Sequence, residues 1–266
     1  MFLQIINLIS FIATLGINYL TIDGLGPFHS IKNISNQYKT SVTPPDWTFS
    51  IWGLIYFGLL LFNIAQFFPK LGLNQYIGKI NYLFMLTCIF NIGWLLIFSI
   101  GTTASTLSSI FIILGLLVLL LTIQCRLQFF KTKLTSKILF IDIPFSIYLG
   151  WILFAVLANF GTCLSAFGYD TNEFMLYMII IMIGTMMFLI NLYFTGNYLT
   201  QLVYLYVMIA FLIKYYNNNS LLFNITLYVL GFSIFSTLIK IILDCRWVRR
   251  RRKKNLFIPL TQTADV

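Results

Sequence analysis

A chain of 266 residues could form one or two soluble domains, but only 9% of this one is charged, while 59% is hydrophobic and 18% aromatic. Soluble domains carry roughly 25% charged residues, so a nucleic-acid enzyme, a secreted disulfide scaffold and a disordered chain are all excluded. The composition, with a mean hydropathy of +0.90, is that of an all-α polytopic transmembrane bundle, and the net charge of +10 must be read from where the basic residues fall.

A helix crossing the hydrocarbon core needs about 20 largely apolar residues. Eight segments qualify: residues 2–19, 48–68, 80–100, 107–127, 138–160, 174–194, 198–213 and 221–243. Gly, Pro and Asn punctuate the chain between them, at Gly24-Leu25-Gly26-Pro27, Pro69-Lys70, Gly101-Thr102-Thr103, Tyr169-Asp170-Thr171-Asn172, Gly196-Asn197 and Asn217-Asn218-Asn219, and a basic stretch separates the fourth and fifth spans. Without the break at Gly196-Asn197, spans six and seven would fuse into a helix too long for one crossing.

Lys and Arg accumulate in cytoplasmic loops. Eight spans put thirteen basic residues on one side: Lys70, Lys79, Arg126, Lys131, Lys133, Lys137 and the seven between Arg246 and Lys254. The other side receives Lys32, Lys39 and Lys214, together with Asp170, Glu173 and the sequons at Asn33 and Asn218. Both termini are therefore expected in the cytoplasm, with the basic tail against anionic headgroups. The first span lacks the basic start of a signal peptide.

Intramembrane charges usually mark ion paths or proton relays, and this chain has almost none. Asp142 is expected at the start of span five, within reach of water or headgroups, and Lys240 near enough to the end of span eight to snorkel. The single histidine, His29, and four scattered cysteines assemble neither a metal site nor a catalytic triad. No enzyme is expected.

Aromatic and amide residues carry the remaining signal. The densest patch is Thr43-Pro44-Pro45-Asp46-Trp47-Thr48-Phe49-Ser50-Ile51-Trp52-Gly53-Leu54-Ile55-Tyr56. The prolines set an extended loop before a helix, and Asp46 is placed to cap it. Phe49, Trp52 and Tyr56 recur at helical spacing on one face of span two. Asn91 and Trp94 share a face of span three; Tyr148, Trp151, Ala155 and Asn159 share one of span five, a turn beyond Pro144. Such faces serve bundle packing or a lipid-interface belt more often than a ligand pocket.

The run from Thr43 to Tyr56 resembles the signature of the TspO/MBR family (translocator protein, tryptophan-rich sensory protein), in the form carried by its longer members. Asn91 with Trp94 is similar to the family's third-helix N-x-x-W, and Pro144 with Trp151, Ala155 and Asn159 to its fifth-helix motif. Val42 stands where shorter members carry another Trp, and about one extra turn separates Pro144 from Trp151. The resemblance implies a TspO-like five-helix unit over 1–161, three additional helices over 162–245 and a basic tail over 246–266. It further implies a first loop that lids a pocket for a planar hydrophobic ligand of the tetrapyrrole or sterol class, porphyrin or haem included. Trp47, Phe49, Trp52, Tyr56, Trp94, Tyr148 and Trp151 would then be its walls, with Asn91 and Asn159 as polar anchors. A carrier of small neutral solutes and a structural subunit of a membrane complex are the competing expectations. Membrane lipid, the hydrophobic ligand and a second copy of the chain are the expected partners, nucleic acid is not, and the two loose inverted cholesterol patterns, at Lys79 and Lys214, carry little weight.

Overall fold

The computed structural model describes residues 1–22, 24, 29–131, 133–169, 173–217 and 219–256, without the side chains of Ile22, Glu173, Ser220 and 247–256. The expected turn at Gly26-Pro27, Asp170, the sequon at Asn218, and the basic side chains from Arg249 to Lys254 lie outside the described part.

The elements in chain order are α1 (Phe2–Ile22), α2 (Ile31–Gln37), a 3₁₀ turn (Asp46–Ser50), α3 (Ile51–Ala65), α4 (Asn74–Ile80), α5 (Leu83–Phe98), α6 (Thr103–Leu127), α7 (Thr135–Lys137), a π turn (Ile138–Asp142), α8 (Ile143–Ala166), α9 (Glu173–Thr195), α10 (Tyr198–Tyr215) and α11 (Ser220–Leu256). Seven helical stretches are long and apolar enough to cross a membrane, and the pair α4–α5 supplies an eighth crossing. This is the all-α bundle of about eight spans that the composition predicts.

The span expected over 80–100 is α5, and the short α4 runs into it at an angle. The pair bends by 52° at Asn81, whose backbone has a positive φ of 49° with ψ −132°. No Pro or Gly marks the bend. By contrast, the expected break after span six is present: Gly196 has φ 72°, and the Asn197 side chain caps α10 by accepting the Thr200 N–H. Further Asn197 amide bonds to Gln124 (2.6 Å) and Ser146 (2.9 Å) tie this turn to α6 and α8.

α8 is the centre of the bundle. Two thirds of its crossing segment is buried (67%), against 17% for α1 and for α11, and it packs on α3, α6, α9 and α10. α1 and α11, at the rim, turn large apolar residues such as Phe2, Ile9, Phe232 and Phe235 outward. A surface of that kind suits contact with lipid or another apolar surface rather than with water.

Eight antiparallel crossings leave two ends. At one, Tyr38 donates to the Gly101 carbonyl (2.8 Å), Thr103 to the Ala166 carbonyl (2.9 Å) and Lys214 to carbonyls of the 40–43 segment. At the other, Ser136 donates to the Leu71 carbonyl (2.6 Å) and Arg126 to that of Lys79 (3.5 Å). Lys70, Lys79, Arg126, Lys131 and Lys133 gather at this second end, together with the start of α1 and the last turns of α11.

Asp142 corrects the expectation that water or headgroups reach it. It is 0% exposed, its carboxylate 2.6 Å from the Lys137 ammonium and accepting the Phe130 N–H at 2.9 Å. The cause is local. In a π turn the partner lies five residues along rather than four, so residue 142 stacks over 137 beneath the Phe129-Phe130 loop. The rings of Tyr76 (5.3 Å) and Phe129 (5.8 Å) face the cation. Lys240 does lie near the end of the last apolar crossing, which closes at Arg246 within the longer α11, and it pairs with Asp244 at 2.5 Å.

Candidate functional site

The segment from Tyr38 to Ser50 folds over the bundle at the end away from the basic cluster. Thr43 donates its N–H to the Thr40 carbonyl (3.1 Å), and the Thr43 hydroxyl accepts the Thr40 N–H (2.9 Å), which makes a tight turn before the prolines. Val42 is fully buried, and a Cβ on Gly161 would lie 2.6 Å from its methyl. Glycine at 161 is what lets the lid rest on α8. Asp46 does not cap the following helix, as the sequence had suggested. The prolines lead into a 3₁₀ turn, and its carboxylate accepts the Asn36 side-chain amide (3.1 Å) from α2.

Under this lid the aromatic residues of α3, α5 and α8 converge. Trp52 stacks on Tyr56 (5.4 Å, 22° between planes) and on Trp94 (6.3 Å, 26°), and meets Tyr148 and Trp151 edge-on at 6.1 and 6.3 Å. Phe49 stands edge-on to Trp151 at 6.0 Å. Offset or edge-to-face contacts at these distances are the favoured aromatic geometries. The helical spacing had placed the rings on common faces; packing brings those faces together.

Amides stitch the rings together. Asn91 donates to the Tyr148 hydroxyl (2.8 Å) and Asn18 of α1 to that of Tyr56 (3.1 Å). Trp94 donates its indole N–H to Asn159 (3.4 Å), which also donates to Ser109 of α6 (2.9 Å). The Trp151 indole N–H is different: it is buried with no acceptor among the described residues. A buried unsatisfied donor costs about 1–3 kcal/mol.

Two adjoining cavities open between lid and rings. The first, about 40 Å³, is lined by Pro44, Phe49, Trp52, Trp94, Trp151 and Asn159 among others. The second, about 190 Å³, adds Trp47 and a polar rim from Asn18, Ser30, Lys32 and Asp46. Tyr56, Asn91 and Tyr148, expected as walls and anchor, line neither cavity; the two tyrosines pack against Trp52, and Asn91 is bonded to Tyr148. Trp47 is 45% exposed and leans edge-on against Tyr206 of α10, with centroids 5.5 Å apart. Both cavities fall short of the roughly 300–1,000 Å³ of drug-sized ligand sites. Neither lining supplies a His, Cys or Met, so the donor set offers a flat molecule stacking faces and hydrogen bonds but offers haem iron no ligand.

Several participants escaped the sequence reading. Phe98 and Phe154, one turn beyond Trp94 and Trp151, extend the ring cluster, and their spacing carries that signal. Ile31 and Ser35, which line the first cavity, come from the short lid helix α2, too polar and brief to be read as an element. Ser109 and Tyr206 stand on helices where no motif points to them.

A family model described as TSPO-like protein matches residues 4–240 of the chain. That stretch runs from α1 into α11, so the match extends over the helices beyond the fifth span. Neither curated proteins nor solved structures gave a match.

Proposed function

This chain belongs to the TSPO-like protein family, and on that premise we propose that it is a membrane-embedded binding protein, not an enzyme, which senses or carries a planar hydrophobic ligand of the tetrapyrrole or sterol class. The observation that carries the reading is the Trp151 N–H, an unpaired buried donor on the wall of an aromatic cavity. A flat ligand stacked among Phe49, Trp52 and Trp94 and carrying an acceptor on its edge would satisfy it. Because the cavities are small, a ligand of this size enters with the lid raised and the rings moved apart. The clustering of basic residues at one end supports an orientation with both termini in the cytoplasm, where the tail meets anionic headgroups.

Titration of the purified protein with protoporphyrin tests the reading through tryptophan fluorescence. Saturable quenching is expected, and replacing Trp52 and Trp151 together by Leu should abolish the saturable component. Saturable quenching that survives the double replacement places the ligand elsewhere and overturns the proposed site.

A further inference from the structure

α10, which lies beyond the fifth span, grips the lid. The Lys214 ammonium donates to the carbonyls of Thr40, Ser41 and Thr43 at 3.3, 3.1 and 2.8 Å. An ammonium has three donors, and three lid carbonyls receive them. The Tyr215 hydroxyl also donates to Ser41, and that of Tyr206 to the Thr48 carbonyl at 3.2 Å. The rings of Tyr215 (4.9 Å) and Phe211 (5.7 Å) hold the cation in place. One helix therefore fastens the strap at both ends, between residues 40 and 48. Pro44 and Trp47, carried on that strap, line the two cavities, so the position of the strap sets the cavity roof.

We propose that Lys214 is a positioning residue for the cavity: by fastening the lid from α10, it sets the rate at which ligand enters and leaves. This rests on the binding reading above. Both cavities are too small for the proposed ligand class with the lid down, so each exchange of ligand must break the Lys214 bonds. Charge-assisted hydrogen bonds are the strong ones, and Lys214 makes them to the lid from a half-buried position. The pattern residues Lys214 and Tyr215 are thus engaged with the lid.

The test uses the full chain in lipid nanodiscs, with Lys214→Met, Lys214→Arg and Tyr206→Phe. Ligand-free amide hydrogen exchange is read at Thr40, Thr43 and Thr48, and protoporphyrin release is followed by recovery of tryptophan emission. Lys214→Met should speed exchange at Thr40 and Thr43 roughly tenfold, equivalent to about 1.4 kcal/mol, and speed porphyrin release by a similar factor. Lys214→Arg should restore most of both. Unchanged exchange at Thr40 and Thr43 in Lys214→Met overturns the proposal, as does an increase spread evenly over α8 and α10. Should the Met variant fail to fold, faster exchange at Thr48 in Tyr206→Phe supports the clamp, and an unchanged rate there overturns it. If the wild-type protein binds no porphyrin, the binding reading falls, while the ligand-free exchange rates still decide whether Lys214 fastens the lid.

Discussion

Lys137 and Asp142 form an ion pair at 2.6 Å whose two side chains are 1% and 0% exposed. Removing one partner strands a buried charge, which costs about 3–5 kcal/mol, whereas replacing both by apolar residues of similar volume is often neutral. Asp142→Asn and Lys137→Met should each lower the unfolding midpoint in detergent sharply, and Lys137→Met with Asp142→Leu should recover most of the loss. Single variants as stable as the parent would show that the pair contributes nothing to folding.

Gly161 is where the lid meets α8. A Cβ there would lie 2.6 Å from a Val42 methyl and 3.2 Å from the Thr40 hydroxyl. Val42 is branched and fully buried, with little room to yield. Gly161→Leu should therefore lift the lid while leaving helix content intact. Limited proteolysis between residues 38 and 46 should become faster, with circular dichroism unchanged; a lid as resistant as in the parent would contradict the close approach.

Asn159 joins three helices through Trp94 and Ser109. Interhelical hydrogen bonds in membranes average about 0.6 kcal/mol, with a maximum near 1.7. Asn159→Leu should cost about 1 kcal/mol in chemical denaturation and weaken porphyrin binding, since the residue lines the first cavity. Unaltered affinity in that variant would remove Asn159 from the polar edge of the site.

The proposed orientation is open to a labelling test. Lys39 is exposed at the lid end and Lys133 at the opposite end. In intact cells, Lys39→Cys should react with an impermeant maleimide, and Lys133→Cys only after permeabilisation. In a secretory-pathway membrane, Asn33, exposed on α2, should also carry a glycan that Asn33→Gln removes. The reverse labelling pattern would invert the topology.

Much of the site was legible because it depends on helical period alone. Trp52 with Tyr56, Asn91 with Trp94, and Trp151 with Asn159 share faces by spacing, whatever the neighbouring helices do. The family resemblance rested on those residues, and the family match agrees with it. The bend after Ile80 was hidden because neither Asn81 nor Tyr82, which stand at it, is a Pro or a Gly. Burial of Asp142 was hidden because a π turn, which has no clear sequence signature, brings Lys137 within reach. The grip of Lys214 on the lid joins residues 171 or more positions apart, a separation at which no local pattern operates.

By itself the sequence determined the solvent of this protein, the number of its crossings and the end at which its positive charge collects. Hydrophobic length and charge are local quantities, and a bilayer responds to them segment by segment. Tertiary structure alone decided that α8 is central, that α10 secures the lid and that Trp151 keeps an unpaired N–H. Those outcomes depend on which helix faces meet and how closely small residues such as Gly161 let them approach, and close packing settles that only when all the helices are present together.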